Sequence, residues 1–410
     1  MTLGVGAETR LLLACTGEGS AARAALREAA AVVDWERALE LARAHRFGPL
    51  LAARLRADPA TAVPAPVRAR LEQLYLTAAA RGARLLTELR RVVDLLAAAG
   101  VESLPMRGPV LAQQLYADPH VRPSDDLDLL VPLEALARAR AALVAGGYEP
   151  VRAVPADAEE GYWRAGGALM MRGREGGCEL DLHGMLEPRH FAEPVLLRDL
   201  NSRCMAVATD GAGEFAALEP GLLLLTLCVH GSKHGWSRHL WTADVAALLT
   251  RHGAAMDWER VLAEARGRGW QRMVLLGVAW AAWASGAELP EPVARAAARD
   301  RALPDLRRRL EAAFVADPAW VLRDDAARAR LHLALMERRR DQWRYVWRRA
   351  FTPSHNDWRA YAWPPGLRAL YGVMRPWRLA YRAIRPRAGG GSSGPSRRAP
   401  GPSSTHSAGS

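Results

Sequence analysis

Asp126 and Asp128 lie in the run Arg122-Pro-Ser-Asp-Asp-Leu-Asp-Leu-Leu-Val131. Two residues apart on a strand, their carboxylates project from one face. Leu127, Leu129, Leu130 and Val131 supply what a half-buried strand beside a core requires, so the acids are expected at its open end. The run Cys178-Glu-Leu-Asp-Leu-His183 repeats the arrangement, with Glu179, Asp181 and His183 on one face and Leu180 and Leu182 on the other. Two such strands side by side pool three or more carboxylates, a surplus of negative charge that a hard cation makes tolerable. Magnesium, held by a few carboxylates and by substrate phosphates, suits that donor set. An Asp-x-Asp pair alone also arises by chance at solvated strand ends, so the surrounding elements decide.

Upstream, Val101-Glu-Ser-Leu-Pro-Met-Arg107 reads as a short strand and Gly108 as a turn. Pro109 to Tyr116 reads as a helix with proline in its first turn, where a missing N–H is harmless. A glycine that opens a helix beside the basic Arg107 makes an anion site.

Lys233 is the one lysine among 56 basic residues, in Cys228-Val-His230-Gly-Ser-Lys233-His234-Gly-Trp236. A compact, rotatable ammonium kept in an arginine-rich chain fits contact with substrate phosphates; the plainer alternative is a surface loop lysine. His230 and His234 are one helical turn apart and can share a face. No third ligand follows at zinc spacing, so they read as hydrogen-bonding histidines or phosphate contacts.

Taken together, Arg107-Gly108, Tyr116, Arg122, Asp126-Leu127-Asp128 and Asp181-Leu182-His183 resemble the pattern of the uncharacterised bacterial nucleotidyltransferase family, within the DNA polymerase beta type superfamily. The resemblance continues through His230, His234, Trp241, Asp244, Asp257-Trp258, Leu367, Leu370-Tyr371 and Arg375-Pro376. It departs in two places. Gly108-Pro109 stands where the superfamily has Gly-Ser or Gly-Gly, which removes one phosphate-binding N–H, and Arg107 stands where lysine is expected. The resemblance implies a magnesium-dependent transfer of a nucleoside monophosphate from a nucleoside triphosphate to a hydroxyl acceptor, with release of pyrophosphate. Asp126, Asp128 and Asp181 would be the catalytic metal ligands, and Arg107, Gly108, Arg122, Lys233, His183, His230 and His234 would surround the nucleotide. The acceptor, whether protein, small molecule, sugar or RNA, stays open, as does the base. Two other readings remain: a pseudoenzyme that binds nucleotide or a partner, and an RNA-binding module using the basic C-terminal region. The retained acidic positions speak against the first, and the lack of a known RNA-binding motif against the second.

The elements that must position these residues predict an α+β fold, with a small mixed-sheet core flanked by N-terminal and C-terminal helical domains. Apolar residues at three and four spacing in residues 20–98 predict about four helices, broken near Pro59, Pro64 and Pro66. We expect a helical region over 1–98, a catalytic core over 99–212, a helical domain over 213–300, a basic and aromatic helical region over 301–387, and a disordered tail over 388–410. Within the core, Leu133 to Ala145 reads as a helix, Tyr148 to Val154 as a strand, and Ala168 to Arg172 as the first arm of a hairpin into the Glu179 strand. Four scattered cysteines argue against zinc and against a disulfide framework. With no signal-like segment and no apolar run long enough to span a bilayer, a cytoplasmic enzyme is expected. The net charge of +12 raises the prospect of polyanion contact where arginines alternate with Trp343, Tyr345, Trp347 and later aromatics. The plainer reading there is a helical layer docking its aromatics on the core.

Overall fold

Five helices precede the first strand: α1 (Ala7–Thr16), α2 (Gly19–Ala30), α3 (Trp35–Ala44), α4 (Gly48–Arg56) and α5 (Ala65–Ala98). The structure is a computed structural model that describes residues 6–151, 154, 156–173, 178–316, 325–352 and 370–384. Asp34 starts α3 by accepting from the backbone N–H groups of Glu36 and Arg37. Pro49 and Pro66 sit in the first turns of α4 and α5, where no helical bond is lost. Leu11, Leu12, Leu39, Phe47, Leu51 and Leu71 close the core of this bundle. The 34-residue α5 serves two layers. Val67 and Leu71 belong to the bundle, whereas Leu85, Leu86, Leu89, Val92 and Leu96 pack beneath the sheet with Leu127, Leu129, Leu180 and Leu182.

That sheet has the order β1-β2-β5-β4-β3. Its strands are β1 (Leu104–Pro105), β2 (Asp126–Leu130), β3 (Tyr148–Pro150), β4 (Leu169–Gly173) and β5 (Glu179–His183). Only β2 and β5 run parallel; the other neighbours are antiparallel. Both strands of the parallel pair alternate buried leucines with half-buried acids, the period expected of a sheet with one covered face. Between the strands lie α6 (Pro109–Leu115), α7 (Leu136–Ala145) and α8 (Ala156–Arg164).

Several boundaries differ from the sequence expectation. The strand before Gly108 is two residues long, and Leu133–Ala135 forms a 3-10 turn ahead of α7. β3 ends at Pro150; of the residues expected to extend it to Val154, two lie outside the described residues, as do 174–177 of the expected hairpin. α8 follows where no helix was expected, and a separate hairpin, β6 (Cys204–Thr209) with β7 (Gly213–Leu218), was also not foreseen. Three of the six residues of β6 are exposed, only Val207 is buried, and the alternation is irregular, so its sequence carries little strand signal.

The remaining helices are α9 (Pro220–Lys233), α10 (His239–His252), α11 (Trp258–Arg268), α12 (Gln271–Ser285), α13 (Glu291–Arg299) and α14 (Leu303–Ala316). Three more described helices follow at Asp325–Leu335, Arg339–Phe351 and Leu370–Ile384. α9 and α12 are apolar almost all round and form the centre of this layer. The core they build includes Leu104, Met106, Leu111 and Leu115, so it continues into β1 and α6. Cys15 and Cys228 are buried, and all four cysteines are free. No described helix is long and apolar enough to cross a membrane.

Candidate active site

The parallel register of β2 and β5 sets Asp126 beside Glu179, Asp128 beside Asp181 and Leu130 beside His183. Neighbouring strands are about 4.8 Å apart, so side chains on one face meet laterally. Ligand atoms of Asp128, Asp181 and His183 all lie within 4.8 Å of one another. His183 Nε2 is 3.0 Å from Asp128 Oδ1. The tight group is therefore Asp128, Asp181 and His183. Asp126 shares the face but stands outside the group, and His183, expected only near the nucleotide, takes its place.

The charges in this row are unevenly compensated. Burial raises Asp126, and Asp128 raises it further. Burial also pushes Asp181 up to about 6; His183 draws it down, while Asp128 and Asp126 add to the rise. Asp128 is the exception. Burial opposes its charge, but Arg107 and His183 outweigh burial and hold it well below the usual carboxylate range. Arg107 Nε lies 3.0 Å from Asp128 Oδ2. Two half-buried carboxylates without a dedicated cation, beside a third that has one, make a donor set of hard oxygens plus one imidazole. These residues fit a divalent cation.

Arg107 also reaches away from the acids. Its Nη1 lies 2.8 Å from His230 Nδ1 and 3.8 Å from Glu187 Oε1. Because guanidinium only donates, His230 Nδ1 accepts, and the ring is neutral. Burial and then Arg107 bring His230 down to about 3. His234 packs at a tilt against His230 and Trp241, with ring centroids 4.7 and 5.0 Å away. Among the described residues neither histidine joins a group of three potential metal ligands.

Glu187 was missed by sequence reasoning. It lies four residues past His183 in an irregular segment with no periodic signal, yet it is only 4% exposed. Burial alone would raise it; Lys233 and Arg107 instead hold it far below its ordinary value. Lys233 Nζ stands 2.5 Å from Glu187 Oε2. The lone lysine is thus committed to a buried carboxylate, which without a counter-ion would cost several kcal/mol.

Arg122 has a different partner from the one expected of a nucleotide contact. It is buried and forms a fork with Asp244, at 2.8 and 3.0 Å. Tyr116 donates its hydroxyl to the same carboxylate at 3.0 Å. This joint ties α6 and the loop before β2 to α10. Gly108 has φ of +81°, a conformation that favours glycine, and a Cβ there would stand 3.4 Å from the Asp126 carbonyl oxygen. The helix it opens is seven residues long and starts with Pro109, so the anion site expected there has few free N–H groups.

Arginines from other layers approach the acidic edge. Arg46, in the turn between α3 and α4, has φ of +59° and pairs with Asp125, as does Arg81 of α5 at 2.9 Å. Burial lowers Arg46 to about 10, Arg238 adds to the fall, and Asp126 opposes it. In a chain with 56 basic residues nothing in the sequence singled these out.

Comparison with known proteins gives one family. The model described as uncharacterised nucleotidyltransferase matches residues 31–285, which spans α3 to α5 of the bundle, the sheet and α9 to α12. No curated protein and no solved structure matches the chain.

Proposed function

The chain belongs to the uncharacterised nucleotidyltransferase family, and we propose on that premise that it moves a nucleoside monophosphate from a nucleoside triphosphate to a hydroxyl acceptor, with magnesium as cofactor. The observation that carries this is the β2 and β5 register, which gathers Asp128, Asp181 and His183 within 4.8 Å and keeps Asp126 on the same face. Asp128, Asp181 and His183 would hold the cation, with Asp126 a further carboxylate on the same face. A bound divalent cation supplies charge neutralisation and polarises a phosphoryl oxygen. In the transfer, the acceptor oxygen forms a bond to the α phosphorus as the bond to pyrophosphate breaks, and the acceptor proton passes to a carboxylate oxygen of Asp181. Arg107 and Gly108 would face the phosphates. Lys233, His230, His234 and Arg122 would act on them through the groups they hold in place.

The test is transfer of label. The protein is incubated with each nucleoside triphosphate labelled at the α phosphorus, magnesium and a cell extract. We expect label to enter an acceptor in wild type and to be lost in Asp128→Asn, with unchanged circular dichroism. The ion pair between Arg107 and Asp128 favours one rival, a nucleotide binder without turnover. Triphosphate binding with no transfer under any condition would establish that rival instead.

A further inference from the structure

The positive charge of this chain is confined to one end. Residues 338–410 hold 15 arginines against two acids, Asp341 and Asp357, a formal +13, whereas the whole chain carries +12. The preceding 337 residues are therefore close to neutral, and the catalytic layers contribute nothing to the excess.

Two described helices of this region, Arg339–Phe351 and Leu370–Ile384, pack on one another, with Arg375 Nε donating to the Arg349 carbonyl at 2.8 Å. Each has one face turned inward. Tyr345 is 1% exposed and belongs to the core around α9 and α12, so the expectation that aromatics dock on the core holds for it; Tyr371 is 4% exposed. The opposite faces are apolar and bare. On the first helix Trp343, Val346, Trp347 and Phe351 are 73%, 45%, 64% and 38% exposed. On the second Leu370, Val373, Met374 and Trp377 are 38%, 59%, 40% and 73% exposed, at spacings of three, four and seven that make one continuous stripe. Arg340 is exposed beside the first stripe.

We propose that these two helices form a docking face for an anionic membrane surface, on which the protein lies without crossing it. The argument is chemical. Tryptophans with aliphatic neighbours, bordered by arginine, match the boundary between acyl chains and headgroups: indole takes the interface and the aliphatic groups enter the hydrocarbon. Clustered arginine is drawn to anionic lipid. A single-stranded nucleic acid would use the indoles as stacking platforms but leaves Val346, Leu370, Val373 and Met374 without a role. A neutral protein partner would not answer the formal +13 of residues 338–410. The inference stands apart from the transfer reaction, because none of these residues touches the acidic cluster.

The test uses the full chain and vesicles, either phosphatidylcholine alone or an equimolar mixture with phosphatidylglycerol. We expect co-flotation with the mixed vesicles only, weakening with salt, and quenching of tryptophan fluorescence by brominated acyl chains. The variant W343S/W347S/W377S changes three exposed side chains and should keep its circular dichroism and melting temperature. It should bind the mixed vesicles at least tenfold more weakly. If it misfolds, brominated-lipid quenching of wild type still decides. Absence of vesicle binding, binding unchanged in the folded triple variant, or retention by RNA without lipid quenching would overturn the proposal. So would a dimer that buries the stripes and leaves wild type indifferent to vesicles.

Discussion

Glu187 and Lys233 show how one residue's meaning depends on another that is distant in sequence. Lysine is rare in this chain, which singled out Lys233, but its ammonium is spent on a carboxylate that burial would otherwise neutralise. Truncating one partner of a buried pair strands the other, at about 3–5 kcal/mol. Lys233→Ala should therefore lower the denaturant midpoint sharply, while E187Q/K233A should recover much of the loss, since both charges are then gone. A single variant as stable as wild type in urea titration would show that the pair carries no such load. Any effect of Lys233→Ala on triphosphate affinity should be read beside that stability change.

At the scale of elements, two buried joints hold the layers together. The first is Asp244 of α10, which binds Arg122 and Tyr116 together and is 0% exposed. Asp244→Asn weakens a pair whose arginine has no water to turn to, so a loss of about 3 kcal/mol or more is expected from chemical denaturation. The second joins the turn after α3 to α10: His239 donates its backbone N–H to His45 Nδ1, and its ring meets Thr16 at 2.7 Å. Burial lowers His45 to about 4 and His239 well below its ordinary value. In the unfolded chain such groups take up protons near pH 6.5, which the folded state refuses. Stability is therefore complete above about pH 6.5 and falls as pH drops toward about 4, by roughly 3 kcal/mol for His45 alone. The melting temperature should fall by several degrees across that window, and His45→Gln should flatten the slope. A profile as steep in the variant as in wild type would remove His45 as its source.

For the whole molecule, the candidate site draws on every layer. The sheet supplies the acids, α9 supplies His230 and Lys233, and the bundle supplies Arg46 and Arg81. Ligand binding at such a junction should stabilise the entire fold. Magnesium with a triphosphate at about 100 times its dissociation constant adds roughly 2.7 kcal/mol, which calorimetry should register as a rise of several degrees in melting temperature. Asp128→Asn should show no rise, and an equal rise in that variant would place the nucleotide elsewhere.

The sequence by itself determined what depends on local period and side-chain type. Alternation in Asp126 to Leu130 and Glu179 to His183 gave two strands with acids on one face, and Pro109 and the break near Pro66 marked the starts of α6 and α5. The motif order also pointed to the family, whose model matches residues 31–285. Tertiary structure decided which acids meet. Parallel register puts Asp128 beside Asp181 and leaves Asp126 aside, and no local pattern encodes register between strands about fifty residues apart. It also decided where each cation goes: Arg122 to Asp244, 122 residues away, and Lys233 to Glu187. A charged side chain in water is nearly indifferent to its partner, whereas a buried one is bound to it. Burial is set by the assembled layers, so the sequence could supply the charges but not their pairing.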